Sequence, residues 1–298
     1  MTERPSARNW ATRCRMRMTS NGGTWARAEA CREVLTRLGY EQPPHRPTGA
    51  SMLEVVTSAV MRTNSVVISH GDDVIVVDPA WTTAELDRLA ARLRGRRVVC
   101  GWSTHAHHDH MLWHPGLGAG PRYATPAAAR LALEHQPKLQ QAATAHVSWE
   151  LVPHVGRVEV YEGRTLDWDG PRVEIVTHDG HSPGHGALWL PAERVLVAGD
   201  MLSDVEIPLL AETGPAAYRE GLARLEPYVR AALEVVPGHG GRCTSGVADS
   251  PIARWEADLA YFDAVEAGRG HDDPRLGAGP AWLWDAHTEN LLAAGRRP

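Results

Sequence analysis

The sequence predicts an α+β sandwich in which two β-sheets lie between layers of helices. Short runs rich in β-branched residues alternate with segments whose apolar residues recur at helical spacing. The strand runs fall into two groups separated by helices, at residues 55–124 and 158–236. The chain has 298 residues, of which 43% are hydrophobic, so it can bury a large core.

The first group opens with a hairpin. Residues 55–69 are rich in β-branched side chains, residues 70–73 should form a turn, and residues 74–77 read as the second strand. Thr83 is expected to cap the helix that follows. The next elements, a strand, a strand and a helix, are expected at residues 97–101, 122–124 and 126–135.

The second group contains five strands and leads into C-terminal helices. The strands are predicted at residues 158–161, 173–176, 187–190, 194–198 and 233–236. Before the last strand, Tyr218, Leu222, Leu225 and Val229 share one face of a predicted helix. Two further helices are predicted at residues 252–266 and 282–294.

Composition divides the chain into three parts. Residues 1–50 hold nine arginines against four acidic residues, with a short helix expected at residues 24–38. We therefore predict an N-terminal extension at residues 1–50 and a main domain at residues 51–270. Residues 271–298 should form a helical segment packed on that domain.

The overall charge and the cysteines narrow the class of protein. The formal net charge of -5 disfavours binding to nucleic acid or to an anionic membrane. The four cysteines form no C-x-x-C pair, which is typical of a reducing compartment. No apolar run approaches the roughly 18 residues of a membrane span. We expect a cytoplasmic protein that acts on a small molecule.

Potential metal ligands are concentrated just after the strand at residues 97–101. His105, His107, Asp109 and His110 fall within six residues of one another. In an extended chain, residues two apart such as His105 and His107 project the same way. Asp109 and His110 lie where a turn can aim them at a second point. Imidazole and carboxylate groups are ligands that zinc accepts.

Three more candidate ligands each follow a predicted strand. They are His181, Asp200 and His239, and a glycine precedes each of them. Glycine lets the backbone turn tightly beside a ligand. Functional groups on loops at strand ends are typical of a site built on a rigid scaffold.

Together these motifs resemble the metallo-β-lactamase superfamily. The chain carries H-x-H-x-D-H from residue 105, G-H-S-P-G-H from residue 180, G-D at residues 199–200 and P-G-H-G from residue 237. The resemblance covers roughly residues 52–266. It implies an αβ/βα four-layer sandwich with metals at one edge, here followed by extra C-terminal helices.

The resemblance also implies two divalent metal ions. Carried over, the first would be bound by His105, His107 and His181, the second by Asp109, His110 and His239, with Asp200 bridging both. Zinc is the expected metal, with iron or manganese as alternatives. Asp78 would hold the ligand loops from behind, and His178 and His185 would act as hydrogen-bond donors behind the ligands.

The activity implied by the resemblance is hydrolysis of an ester, thioester or lactone by a metal-bound hydroxide. Asp109 or Asp200 would move the proton. True β-lactamases of this superfamily usually lack the aspartate found here as Asp200. The glyoxalase group usually has glycines after the first motif, where this chain has Met111, Leu112 and Trp113, which disfavours a glutathione thioester.

Two other activities fit part of the pattern. A mononuclear-iron sulfur dioxygenase would use His105, His181 and Asp200 as a facial triad. A phosphodiesterase or nuclease of the same fold would need a basic track, which the acidic balance disfavours. His108 is expected to point away from the metals, while Trp113 is expected either to line the pocket or to join the core.

Overall fold

The computed structural model describes residues 52–297, and two β-sheets form their centre. The first sheet contains, in spatial order, β1 (Met52–Thr57), β2 (Asn64–His70), β3 (Asp73–Val77), β4 (Arg97–Trp102), β5 (Arg122–Ala124) and β6 (Glu159–Val160). The second contains β7 (Glu174–His178), β8 (His185–Leu190), β9 (Val195–Gly199), β10 (Glu234–Pro237) and β11 (Cys243–Thr244), in reverse spatial order.

Seven α-helices accompany the sheets in the described part of the chain. They are α1 (Thr83–Arg92), α2 (Pro126–Glu134), α3 (Gln136–Ala143), α4 (Gly214–Ala231), α5 (Pro251–Glu266), α6 (Pro274–Ala278) and α7 (Trp282–Ala293). This arrangement confirms the predicted αβ/βα sandwich with additional C-terminal helices. No helix among residues 52–297 combines the length and the apolar character needed to cross a bilayer.

Alternation of apolar side chains between the two faces of β2 explains why the first sheet is covered on both faces. Val66 and Ile68 of β2 pack with Leu188 and Val197 of the second sheet. Val67, between them in sequence, points to the other face and packs against helix α1. Side chains of a strand alternate between faces, so one strand can serve both cores. A core therefore lies between the sheets, and another lies under α1.

The cap of α1 differs by one residue from the prediction. The N-cap is Thr82, whose side chain accepts a hydrogen bond from the Glu85 backbone N–H. The Glu85 carboxylate in turn accepts from the Thr82 backbone N–H at 3.0 Å, which completes a capping box. The Thr83 hydroxyl instead accepts from the Ser148 backbone N–H at 2.6 Å. Two adjacent threonines made the choice ambiguous in the sequence.

Asn64 joins the two sheets beside the strand ends that carry the candidate ligands. Its side-chain amide donates to the backbone oxygens of Pro237 and Gly240 at 2.8 and 3.0 Å. Its backbone N–H donates to Gly238 O at 2.7 Å. The chain on either side of His239 is therefore held against the start of β2. Asn64 and these backbone groups are buried. Removal of the Asn64 side-chain amide would therefore leave the carbonyl oxygens of Pro237 and Gly240 without that hydrogen-bond donor.

The predicted C-terminal segment contacts the rest of the described chain through polar side chains. Asn290 of α7 accepts from Leu210 N at 2.8 Å and donates to Pro208 O at 2.6 Å. His287 shares a 2.8 Å hydrogen bond with the Tyr261 hydroxyl of α5. The domain boundaries themselves stay predictions. The proposed extension at residues 1–50 and the helix at residues 24–38 lie outside the described residues.

Candidate metal centre

The carboxyl ends of several strands deliver the predicted ligands to one place. β3 and β4 are parallel, and Asp78 and His105 follow their ends. β9 and β10 are also parallel, with Gly199 paired to Pro237, so Asp200 and His239 emerge side by side. The loops of the two sheets are tied together by a hydrogen bond from Gly186 N to Thr104 O at 2.7 Å. The site therefore lies at the edge where both sheets end.

Two groups of ligand atoms result. The first comprises His105, His107, His181 and Asp200, and the second Asp109, His110 and His239. Within each group the ligand atoms lie within 4.8 Å of one another. Nearly all of these side chains are buried, and only His107 is substantially exposed. The seven residues named from the motifs are thus brought together, in the two groups that the resemblance implied.

Asp200 lies between the two groups. Its Oδ2 is 3.3 Å from His105 Nε2 and 3.4 Å from His239 Nε2. Its Oδ1 is 3.2 Å from His110 Nε2, although no described residue donates a hydrogen bond to that oxygen. One carboxylate therefore faces ligands of both groups, which is the position required of a bridge.

Two glycines make room for Asp200. Gly199 has a φ of +54°, and a Cβ there would collide with the imidazole of His185. A Cβ on Gly238 would collide with Oδ1 of Asp200 itself. Only glycine combines a left-handed backbone with the absence of a side chain at such a close approach. The glycines in the G-D and P-G-H-G motifs are thus steric requirements of the site.

Asp78 fixes the orientation of two candidate ligands. Its Oδ1 accepts from Thr104 N at 2.8 Å, and its Oδ2 accepts from the Thr104 hydroxyl at 2.7 Å and from His110 Nδ1 at 2.9 Å. Because the Thr104 hydroxyl proton is used on Asp78, its oxygen accepts from His105 Nδ1 at 3.0 Å. A neutral imidazole carries one N–H, so Nε2 of both histidines is left as a lone pair.

Backbone and carboxylate acceptors fix two further tautomers. His239 Nδ1 lies 3.0 Å from Met61 O, and His107 Nε2 lies 3.0 Å from a carboxylate oxygen of Glu212. Both of these nitrogens must donate, since their partners can only accept. The nitrogens left as lone pairs are His239 Nε2 and His107 Nδ1, and both face into the site.

These lone pairs point at one another. His110 Nε2 lies 3.2 Å from His239 Nε2, and His105 Nε2 lies 3.0 Å from His107 Nδ1. Two lone pairs repel at this distance unless a proton or a cation lies between them. Nitrogens bound to one tetrahedral zinc at about 2.1 Å would be about 3.4 Å apart. The donor set and its spacing therefore fit divalent metal ions, which the residues would hold in two adjacent positions.

Charges in the site shift the pKa values of its ligands in opposite directions. Burial alone lowers the pKa of His110 and His239, but Asp200 and its neighbouring carboxylates outweigh burial and raise both well above the usual range. Burial raises the pKa of Asp109 and Asp200, and the adjacent histidines bring both well below the usual range. The carboxylates therefore favour positive charge at the Nε2 atoms of these two histidines, where a divalent cation would compete with protons.

Two glutamates that no sequence motif indicated also face the site. Glu212 contacts His107, as described above. Glu206 is buried, its Oε1 lies 3.6 Å from His239 Nδ1, and it could share a metal with Asp200 and His239. Burial is the main cause that raises the pKa of Glu206 to about 7. Neither residue stands at a motif spacing, so only the fold brings them here.

His178 and His185 do not donate hydrogen bonds to the ligands, contrary to the prediction. The His185 ring stacks on His105 at 5.1 Å between centroids, and the His178 ring stacks on His185 at 4.5 Å. Among the described residues neither ring nitrogen of His185 has a hydrogen-bond partner, and His178 Nδ1 accepts from Gly180 N. The rings lie face to face, so the edges that carry the nitrogens do not point at the ligand His105. Their contact with the ligand is a stacked one.

The remaining residues near the motifs belong to neither ligand group. His108 is partly exposed, with its ring edge-on to Trp81 at 5.2 Å. Trp113 is buried in the core under α1, and His114 pairs with Asp87 at 3.0 Å. Cys243 is buried in β11, where burial raises the pKa of its thiol to about 11. Of the two roles expected for Trp113, the structure supports the core position.

Comparison with known sequences agrees with this geometry. The model of the metallo-beta-lactamase superfamily matches residues 59–241. The chain belongs to this superfamily. A similar curated protein of the superfamily is a hydroxyacylglutathione hydrolase of Aeromonas hydrophila, 30% identical over 177 residues that cover 58% of this chain and 60% of that protein. A second, from Acidiphilium cryptum, is 29% identical and covers 54% and 58%. The chain thus spans about 60% of the length of these relatives.

Several solved structures share the fold. A metallo-beta-lactamase family protein from Thermus thermophilus superposes with a TM-score of 0.55 at 22% identity, covering 82% of this chain and 93% of that one. A stereoselective inverting sec-alkylsulfatase from Pseudomonas sp. superposes with a TM-score of 0.54 at 16% identity, covering 72% and 41%. At such low identity these likenesses establish the fold alone.

Substitution of Glu212 should weaken metal binding without unfolding the protein. The carboxylate accepts from His107 and so holds its Nδ1 lone pair toward the first position. Loss of such a partner typically costs about ten- to a hundredfold in metal affinity. We expect Glu212→Ala to lose that much and Glu212→Gln, which can still accept, to lose less. Chelator competition measures the affinity, with exposed Glu220→Ala as the control. Unchanged affinity in Glu212→Ala would contradict this role.

Metal loading should release protons. Because the neighbouring carboxylates raise the pKa of His110 and His239 well above the usual range, a cation that binds at their Nε2 atoms has to compete with protons for those atoms. Affinity at the second position should therefore fall as pH falls, by about tenfold per pH unit for each proton displaced. Titration calorimetry in buffers of different ionisation enthalpy counts the protons. Metal binding with no proton release would show that these assignments are wrong.

Proposed function

We propose that this protein is a metal-dependent hydrolase that cleaves an ester, thioester or lactone of a small molecule, with zinc as the expected metal. The observation that carries the proposal is the set of histidine ring nitrogens that face one another beside Asp200, at distances that fit a shared divalent cation. Two divalent ions in such a site supply a water activated at neutral pH and polarise the oxygen of the group under attack.

The residues of this chain would bind and orient these ions. Asp78 and Thr104 set the tautomers of His105 and His110, and Met61 O sets that of His239. The buried carboxylates compensate the positive charge, which in a buried site would otherwise be costly. Because the nucleophile would be a metal-activated water, the reaction would need no serine or cysteine nucleophile.

Asp109 is the better candidate of the two aspartates for moving the proton. Asp200 presents both of its oxygens to ligand histidines. Asp109 presents Oδ2 to His110 Nε2 at 3.1 Å and to His239 Nε2 at 3.2 Å. Its Oδ1 is in contact with no ligand histidine among the described residues and lies 3.7 Å from His108 Nδ1. We propose that this oxygen takes the proton of the attacking water and returns it to the leaving group.

The substrate is proposed to be an acyl compound and not a polynucleotide. The relatives from Aeromonas hydrophila and Acidiphilium cryptum carry the name of a thioester hydrolase. The net charge of -5 disfavours a phosphate backbone. Met111, Leu112 and Trp113, which stand where the glyoxalase group usually has glycines, are all buried and pack in the core. We therefore propose an acyl substrate that does not contain glutathione.

A substrate panel tests this function. Metal-reconstituted protein should hydrolyse at least one lactone, thioester or carboxylic ester, and chelation should abolish the activity until metal is restored. Elemental analysis should find close to two ions per chain. Phosphodiester turnover without acyl hydrolysis would overturn the substrate class. One iron per chain with thiol-dependent oxygen consumption would favour the sulfur dioxygenase.

Asp200→Ala tests the bridge. The variant should stay folded, because the residues of β9 that precede it keep their packing between the sheets. It should bind metal more weakly and lose about a hundredfold or more of its turnover. Asp200→Asn should retain more metal, since an amide oxygen can still coordinate. Glu220→Ala, an exposed residue of α4 outside the site, is the control and should be nearly silent. An active Asp200→Ala would place the bridge elsewhere.

A further inference from the structure

We propose that a second site, separate from the metal centre, binds a small organic anion that carries an aliphatic chain. The site is a cavity of about 1210 Å³ between helix α2 and strand β6, which we call the arginine pocket. Arg122, Arg130, Arg157, Leu133 and Val160 are among the residues that line it. None of the seven candidate metal ligands lines it, so its occupant is independent of the reaction proposed above.

The pocket contains more positive charge than the protein compensates. Within residues 52–297, Arg122, Arg130 and Arg157 take part in no ion pair. Glu159 is the one carboxylate among the described lining residues. Elsewhere in the described chain, buried arginines such as Arg254 and Arg275 are paired with aspartates. Three arginines around one cavity without such partners leave a place for an anion.

Arg122 is held in the wall of the pocket by two contacts. One of its guanidinium nitrogens donates to His154 O at 2.7 Å, and the group lies over the Trp113 ring at 5.5 Å from its centroid. Burial, and then the charge of Arg157, lower the pKa of Arg122 to about 10. The same two arginines add to the effect of burial in lowering the pKa of His154. The cations repel one another, and a bound anion would relieve that repulsion.

The two walls of the arginine pocket indicate that its ligand also carries an apolar group. On α2, Leu133 follows Arg130 by three residues and is 74% exposed. On the opposite wall, Val160 follows Arg157 by three residues and is 54% exposed. Each wall thus offers an arginine and an uncovered aliphatic side chain. The cavity of about 1210 Å³ is larger than a lone inorganic anion needs and slightly exceeds the roughly 300–1,000 Å³ of most small-molecule sites, so it has room for an organic anion. A carboxylate or phosphate monoester with an aliphatic chain matches both features.

Calorimetric titration of the full-length, metal-loaded protein tests the proposal, with octanoate and octyl phosphate as probes. We expect saturable binding of at least one probe, and the better of the two identifies the head group. Arg130→Gln and Arg157→Gln should each weaken binding at least fivefold, and Leu133→Ser should do the same. These three side chains are exposed, so the variants should keep their melting temperature. Arg224→Gln, an exposed arginine on α4, is the matched control and should bind normally.

Three results would overturn the proposal. The first is no saturable binding of either probe. The second is binding that the pocket variants leave unchanged, in particular binding abolished by chelation, which would assign the anion to the metal centre. The third is equal affinity for acetate or inorganic phosphate, which would leave the exposed aliphatic residues without a role.

Discussion

The buried carboxylate of Asp78 is the contact on which the metal centre depends. It holds the backbone and hydroxyl of Thr104, and it also holds the imidazole of His110. Through the Thr104 hydroxyl it determines which nitrogen of His105 is protonated. Asp78 reaches this position with a φ of +46°, an uncommon conformation for a residue with a side chain. One strand end thus orients a ligand of each metal position before any ion is bound.

The candidate ligands that follow the strands of the second sheet are positioned by steric clearance more than by hydrogen bonds. Asp200 can face both ligand groups only because Gly199 and Gly238 lack side chains that would otherwise collide there. Asn64 then ties the backbone on either side of His239 to the first sheet. The distance between the two ligand groups is therefore set by the packing of two sheets. Precise placement of ligands on rigid elements is what a reactive metal site requires.

The sequence predicted those residues of the site that lie close to one another, or to a marker glycine, along the chain. His105, His107, Asp109 and His110 are close in the chain, and a ligand such as Asp200 sits beside a diagnostic glycine at a strand end. Sequence could not predict the contacts of Glu206 and Glu212, because these arise from the path of the loop between β9 and α4. The stacking of His185 on His105 likewise depends on how the two sheets approach one another. Motif position alone suggested hydrogen bonding instead.

That loop connects the metal centre to the C-terminal helices. It carries both glutamates, and its backbone is held from outside the superfamily match at residues 59–241. Arg275 of α6 donates to the carbonyl of Glu206 and is itself paired with Asp258 of α5. Asn290 of α7 binds the backbone of Leu210 and Pro208, just before Glu212. The helices that follow the matched residues therefore hold the loop that brings two further carboxylates beside the candidate ligands.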